Sequence, residues 1–510
     1  MTLHDERLGA LSSPLLAGLR CGIEKESLRV TRAGDLARTR HPQGLGSPLT
    51  HSHITTDFSE SQVEMVTGTH ASAVTCLEEL THIHQIVYRQ IEDELLWCAS
   101  MPPELPVENE IPIASYGTSN MGRLKKLYRL GLAQRYGRRM QMISGIHYNF
   151  SLPDAAWAAL RWEPNEAYFA LIRNFRRHAW LLLYLFGASP AVCAGFVEGH
   201  AHKLSPLGND TFYAPHGTSL RMGPLGYQSA AQAALGVSYN SLECYARALE
   251  GALTTPHPAY EAFGIREGDN YRQLAPSVLQ IENEFYSTIR PKRRIHRGER
   301  PLYALRARGV EYVEVRAIDL DPFSPVGIGI DTARFLNVFL LHCLLTDSAP
   351  DTPDETATID RNQHLVSQRG REPHLMLERC GQSIALSAWA LGILNECEPI
   401  AAALDTHAGF GHADALSAAV AALEAPGLLP SSRMLHEMAQ DHANSFTRFA
   451  LTRSVQHAHE LVAIQLPAAV EHRYSRIAQR SVGEQRDMEA TDVLPFEAFR
   501  QAYLTQELAP

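Results

Sequence analysis

The chain has 510 residues, 45% of them hydrophobic, enough to bury large cores and to hold about two to four average domains. Its net charge of −10 excludes a nucleic-acid binder that works through bulk charge, because phosphate neutralisation needs a basic surface. The eight cysteines (21, 76, 98, 193, 244, 343, 380 and 397) show no C-x-x-C and no paired spacing, so reduced, mostly buried thiols in a cytoplasmic protein are the simplest reading.

Asp5, Glu6 and Arg7 precede a short apolar run, a poor signal peptide. Cys21–Val30 follows as a strand placing Glu24 and Glu26 on one face. His51–Gly68 carries Asp57, Glu60 and Glu64; Asp57 has the opposite parity to the other two, so a bulge or strand end must turn it inward. Residues 74–97 read as helix. The Gly- and Ser-rich stretch 114–124 runs into Arg123, Lys125, Lys126 and Arg129, either a solvated helix face or a phosphate-facing loop and helix start.

Ile143–Ser151 alternates Ile146, Tyr148 and Phe150 with His147, Asn149 and Ser151. A helix over 166–186 leads into the uncharged window Ala179–Val197. Gly187-Ala-Ser-Pro190 interrupts that window, so it reads as a buried helix ending near Phe186 and not as a membrane span. Segment 280–290 puts Gln280, Glu282, Glu284, Tyr286, Thr288 and Arg290 opposite Ile281, Phe285 and Ile289, again in strand period. In 309–319, Val313 and Val315 alternate with Glu314 and Arg316. A helix over 331–346 precedes the polar, proline-bearing stretch 347–373, read as a loop or linker, and 383–470 is Ala/Leu-rich and helical in period.

Strands with one polar and one apolar face fit an antiparallel sheet in an α+β fold. Taken alone, each polar face reads as a solvent face. Solvent faces favour Lys, Thr and Ser, however, whereas these carry Glu, His, Asn, Gln and Arg, and jointly they form a polar, acid-rich concave side.

Several familiar motifs fail. Gly117–Leu124 has Walker A spacing, but Arg123 and Leu124 stand where Lys and Ser/Thr belong. His436-Glu437 lacks a second His, Gly327-Ile-Gly329 lacks its third glycine, and His51-Ser-His53 has no preceding hydrophobic strand. What survives is Glu24, Glu26, Asp57, Glu64, Glu314 and His147. Hard oxygen donors in that number suit Mg²⁺ or Mn²⁺, and so many acids in one cavity need cations between them. Metals facing acids on one side need a polyanion on the other, commonly a nucleoside triphosphate, which Arg221, Arg290 and Arg316 could clamp.

Seven motifs together resemble the proteobacterial type of the glutamate–cysteine ligase (γ-glutamylcysteine synthetase) family. They are Gly22-Ile-Glu-Lys-Glu-Ser-Leu-Arg-Val30, Ile54-Thr-Thr-Asp-Phe-Ser-Glu60, Tyr116-Gly-Thr-Ser-Asn120, Ile143-Ser-Gly-Ile-His-Tyr-Asn-Phe-Ser151, Leu185-Phe-Gly-Ala-Ser-Pro190, Gln280-Ile-Glu-Asn-Glu284 with Ile289-Arg-Pro-Lys-Arg293, and Glu311-Tyr-Val-Glu-Val-Arg316. They run in order over roughly 60% of the chain, from about residue 20 to about 330.

The resemblance implies a glutamine-synthetase-like core, a curved antiparallel sheet (funnel) surrounded by helices, with a helical C-terminal region. It divides the chain into a catalytic domain over 1–346, the polar linker 347–373 and a helical region 374–510 packed on the first. It implies ATP-dependent joining of the L-glutamate γ-carboxyl to the L-cysteine amine through γ-glutamyl phosphate, the first step of glutathione synthesis, with no nucleic-acid or membrane partner. A cytoplasmic monomer is expected, with a homo-oligomer left open.

Carried over residue by residue, Glu24, Glu26, Asp57, Glu64, His147 and Glu314 would hold Mg²⁺ or Mn²⁺. Arg316, with Arg129 and Asn149, would meet the nucleotide; Arg221 would bind substrate carboxylate or the acyl phosphate; Tyr227, Tyr286 and Tyr128 would shape the cysteine pocket. Gly223-Pro224, within the 221–227 loop, is less typical of the family and leaves the geometry of that loop open. Two rivals stand beside this reading: another ligase on the same scaffold joining glutamate to a different amine, and a non-catalytic nucleotide or metal sensor.

Overall fold

The computed structural model describes residues 3–226, 229–296 and 298–505. Its centre is a seven-stranded sheet in which every pairing is antiparallel. The strands are β1 (Arg20–Val30), β2 (Ile54–Thr56), β3 (Gln62–Val66), β4 (Leu95–Leu96), β5 (Ile146–Ser151), β6 (Ile289–Lys292) and β7 (Tyr312–Ile318). The main path runs β6-β7-β5-β1-β3-β2, with β4 paired to β1.

The alternation read from the sequence sets the two faces. Ile23, Ile146, Tyr148, Phe150, Val313 and Val315 are all at most 1% exposed and point to one side. Burying a side chain of this size is worth about 1.5–3 kcal/mol, so a one-residue slip of any strand, which would exchange its faces, is strongly disfavoured.

Helices cover the apolar face. Prominent among them are α1 (Leu3–Ala10), α2 (Ala73–Tyr88), α4 (Pro164–Phe186), α5 (Ile330–Leu345), α6 (Pro353–Arg369) and α7 (Leu386–His407), whereas α3 (Asn120–Tyr136) and α8 (Ala468–Thr491) lie over the polar face. α4 and α5 pack together through Phe175–Phe339 and Phe186–Phe335 ring contacts. Tyr148 ties the sheet to α5 by donating to Asn337 Oδ1 at 2.7 Å. α4 ends at Phe186, as the interrupted apolar window requires, and no described helix is long and apolar enough to cross a membrane.

Two expectations change. Residues 280–290 do not form one strand: Glu282–Glu284 is a 3₁₀ turn and the strand begins only at Ile289, running Ile289–Lys292. The acids that create the alternation are held by distant partners, Glu282 by Arg300 at 3.0 Å and Glu284 by Arg135 at 2.8 Å. The polar stretch 347–373 is mostly α6, not loop. Thr352 caps it by accepting from Glu355 N, Pro353 sits at the first turn where its missing N–H costs nothing, and Asp354 and Glu355 favour the helix dipole. Beyond it, a short hairpin, Met376–Arg379 with Gln382–Ala385, precedes the helical C-terminal region.

On the apolar side of β1, Lys25 is 2% exposed and its Nζ lies 2.8 Å from His84 Nε2. Burial lowers its pKa to about 7. Unfolded, this lysine binds a proton up to about pH 10.5, so between the two values the unfolded state holds more protons and stability rises with pH. Thermal melts should therefore show a rise from pH 7 to 9 that Lys25→Met flattens; equal slopes in parent and variant would refute the assignment.

Candidate active site

The polar face of the sheet is organised by register. His147 on β5 stands opposite Glu24 on β1, Glu26 opposite Glu64 on β3, and Glu314 on β7 opposite Asn149 on β5 and Arg290 on β6. Directly opposed residues share a face, so three rows of antiparallel pairing deliver these groups to one place. Asp57, just past the end of β2, joins them from the turn into β3, as its parity demands. All of these except Asn149 line a cavity of about 690 Å³, the size of an ordinary small-molecule site.

His147 is the hub. Its Nδ1 lies 3.2 Å from Glu24 and 3.7 Å from Glu314, and its Nε2 lies 3.6 Å from Glu26. One donor atom each from Glu24, Glu64 and His147 fall within 4.8 Å of one another, close enough for a shared metal ion. Asn149 lies behind Glu24 and donates to its Oε1 at 2.9 Å. It orients an acid and does not reach into the cavity where a nucleotide contact was expected.

The electrostatics divide the acids into two sets. Burial, then repulsion from Asp57, Glu24 and Glu26, drives Glu64 well above the usual carboxylate range. Burial and Asp57 likewise raise Glu26, although His147, Arg221 and Arg316 oppose this. Burial works against the charge of Glu314 as well, but Lys292 at 3.3 Å and Arg316 at 3.5 Å, with His147 and Arg290, outweigh it and hold Glu314 well below that range. Glu24 lies between: burial and Glu314 raise it, while the His147 hydrogen bond and Lys292 bring it below its ordinary value. The site thus has a cation-matched end at β6–β7 and a cation-deficient end at β1–β3.

Arginines form the opposing wall. Arg221 reaches over the sheet and donates from Nη2 to the Arg316 carbonyl at 2.9 Å. Gly145 permits this, because a β-carbon there would overlap the Arg221 guanidinium, and its N–H donates to Glu26 Oε2 at 2.8 Å. Asp319 braces the arrangement: it accepts from Ala188 N and the Ser189 and Ser219 hydroxyls and lies 3.7 Å from Arg221 Nη1. The buried Nε atoms of Arg221, Arg290 and Arg316 have no hydrogen-bond partner among the described residues. Buried guanidinium donors are normally satisfied, so this wall is short of acceptors and suits an anion.

Arg129 lines the cavity, but its Nε donates to the Asp57 carbonyl and its Nη1 to Lys125 O at 3.0 Å, so it also fixes the Asp57 turn. The 114–124 loop is not open to phosphate. Thr118 N donates to Glu489 and Asn120 N to Asp492, so acids from the end of α8 and just beyond it already occupy the start of α3. Tyr128 and Tyr286 line the cavity; Tyr227 lies outside the described residues.

Lys292, Asp319, Gly145 and Gln232 take site roles that no local sequence pattern assigns them; Gln232 donates to the Glu284 carbonyl and accepts from Tyr286 N. Only the Ile289–Arg293 motif hinted at Lys292. Glu484 and Met488 of α8, with Tyr503, close the cavity from the C-terminal region.

A bank of carboxylates thus shares one cavity with guanidinium and ammonium groups. The family model for glutamate–cysteine ligase matches residues 8–366. The chain is 47% identical to the glutamate–cysteine ligase of Pseudomonas entomophila strain L48, over 99% of this chain and 98% of that one, and 46% identical to that of Bordetella parapertussis strain 12822, over 97% and 95%. It is similar to the crystal structure of glutamate–cysteine ligase from Francisella tularensis in complex with AMP, with a TM-score of 0.91 and 36% identity over 96% of this chain and 98% of that one. It also resembles a bifunctional glutathione synthetase from Pasteurella multocida, with a TM-score of 0.72 and 25% identity, spanning 58% of that longer chain.

The chain belongs to the glutamate–cysteine ligase family, whose reaction is the ATP-dependent formation of γ-glutamylcysteine.

The two acid sets differ in what they do to stability. Glu64, raised in the folded state, contributes stability below about pH 4.5 that is lost as pH climbs through its folded value; Glu314, lowered, contributes above about pH 4.5 and loses it on acidification. In metal-free protein at pH 7.5, Glu64→Gln should raise the melting temperature by about 1–2 °C, the scale of about 1 kcal/mol in a chain this large. Glu314→Gln, which strands Lys292 and Arg316, should cost about 3 kcal/mol. Calorimetry in EDTA that gave the reverse order would contradict the charge map.

Proposed function

We propose that the carboxylate bank and the arginine wall act on the two ends of one reaction. The γ-phosphoryl group of ATP passes to the glutamate side-chain carboxylate, breaking the bond to the β-phosphate oxygen and forming γ-glutamyl phosphate. The amine of cysteine then attacks the acyl carbon, a carbon–nitrogen bond forms, and phosphate leaves. The observation that carries this reading is that Glu64 and Glu26, driven upward by burial and mutual repulsion, share one cavity with buried guanidinium groups that have unused donors.

The donor set fits a hard divalent ion: carboxylate oxygens with one imidazole and no thiolate, and Glu24, Glu64 and His147 already converging. Glu24, Glu64 and His147, with Glu26, Asp57 and Glu314, would hold magnesium or manganese, which would supply charge to neutralise the triphosphate. Asn149 holds Glu24 in place, and Arg129 holds Asp57. Arg316, two residues along β7 from Glu314, meets phosphate oxygens. Arg221, braced by Asp319, meets the substrate carboxylate and the tetrahedral oxyanion, where a fixed guanidinium acts without reorganising. A cavity carboxylate accepts the ammonium proton before attack.

Tyr128 and Tyr286 shape the amine pocket. The site is assembled from one chain, so we take the working unit as a monomer. Eight unpaired thiols fit a reducing cytoplasm.

Coupled ADP release with ATP, Mg²⁺ and L-glutamate should require L-cysteine, and mass spectrometry should show the γ-linked dipeptide. Release with ammonia would reassign the amine, and no release with any amine would refute a ligase. Arg316→Lys keeps the charge but loses the planar fork and should lower kcat about 10²–10³-fold. Glu24→Gln should abolish turnover with the fold retained by circular dichroism; near-parental activity would remove Glu24 from the metal set.

A further inference from the structure

On the apolar side of the sheet, away from the carboxylates, α1, α4, α5 and α7 bring a second group of ligating side chains together. One donor atom each from His178 on α4 and from His342 and Cys343 on α5 lie within 4.8 Å of one another. The His342 ring centre is 5.8 Å from that of His178 and 6.0 Å from that of His4 on α1. His342 and Cys343 are fully buried. The cluster plays no part in the reaction described above.

Packing alone leaves its polar atoms unexplained. His178 Nδ1, His342 Nδ1 and His4 Nε2 are buried without a hydrogen-bond partner among the described residues. Buried imidazole nitrogens ordinarily find one, so three orphans in one cluster mark a missing ligand.

The orientation of His342 is informative. Its Nε2 lies 2.8 Å from Glu396 Oε2 on α7, which fixes the proton on Nε2 and leaves Nδ1 as a lone pair. An imidazole with one nitrogen on a carboxylate and the other free is the arrangement that orients histidine on a metal. Burial, the largest influence on both, lowers His178 well below its ordinary range and also lowers His4, which keeps them in the neutral, ligating form.

We propose that His178, His342 and Cys343 form a site for a borderline-soft divalent ion, zinc in particular, distinct from the magnesium-type site on the other side of the sheet. Two imidazoles and a thiolate suit zinc and not magnesium. His4, with its unpartnered Nε2, is the nearest further donor for the fourth position. On binding, the Cys343 S–H bond breaks, the sulfur takes the metal, and the proton leaves to solvent. Because the ligands come from helices far apart in the chain, occupancy ties α1, α4 and α5 together and favours the folded state.

Cobalt(II) titration of the full-length protein in excess Mg²⁺ tests this. Excess Mg²⁺ keeps the carboxylate site filled, and cobalt on carboxylates gives no sulfur band. One equivalent should produce a thiolate-to-cobalt band in the near ultraviolet, displaced by Zn²⁺ and abolished in Cys343→Ser. Glu396, whose side chain is 61% exposed, can be changed without disturbing the core, and Glu396→Gln should weaken zinc binding about ten- to a hundredfold. No sulfur band in the parent, or a band that survives Cys343→Ser, overturns the proposal.

Discussion

Mutual repulsion among buried carboxylates is the constraint on which the rest of this structure depends. Glu24, Glu26, Asp57 and Glu64 converge from two strands and a turn, and the neighbouring cations do not offset the burial and repulsion that raise Glu26 and Glu64. Glu314, by contrast, has Lys292 and Arg316 close by. The asymmetry is functional in kind: a site with every charge matched internally would have nothing to offer a metal or a triphosphate. One end cation-deficient and the other donor-rich is the arrangement that the proposed metal and triphosphate require.

A strained polar face of this sort needs an unyielding support. The support is the opposite face of the same strands, where Ile23, Ile146, Tyr148, Phe150, Val313 and Val315 are buried against α4 and α5. The register that seals the core is the register that aligns the acids, so packing and catalysis are consequences of one pairing pattern. The C-terminal helices also take part. Acids at and beyond the end of α8 hold the start of α3, and Glu484, Met488 and Tyr503 complete the cavity wall.

Much of this was legible in the sequence where chemistry and period coincide. β1, β5 and β7 combine β-branched or aromatic residues on one parity with ligating groups on the other, and local alternation is enough to read them. Asp57 was legible even as an exception, because its parity required a turn. The misreadings have a common source in partners distant along the chain. Glu282 and Glu284 mimic a strand face because Arg300 and Arg135, invisible to a local window, hold them in a 3₁₀ turn. The 114–124 loop looks ready for phosphate until Glu489 and Asp492 arrive. α6 was hidden by reading Pro353 as a breaker when it stands at a first turn. Asp319 and Gly145 matter only through Arg221, which no spacing places beside them.

The most direct test of the central claim is to locate the metal. Crystals grown with Mn²⁺ and a non-hydrolysable ATP analogue should show anomalous peaks bounded by Glu24, Glu64 and His147, with the analogue's phosphates between those peaks and the Arg221–Arg316 wall. Manganese bound elsewhere, or phosphates lying against α3 with the carboxylate bank bare, would contradict the account.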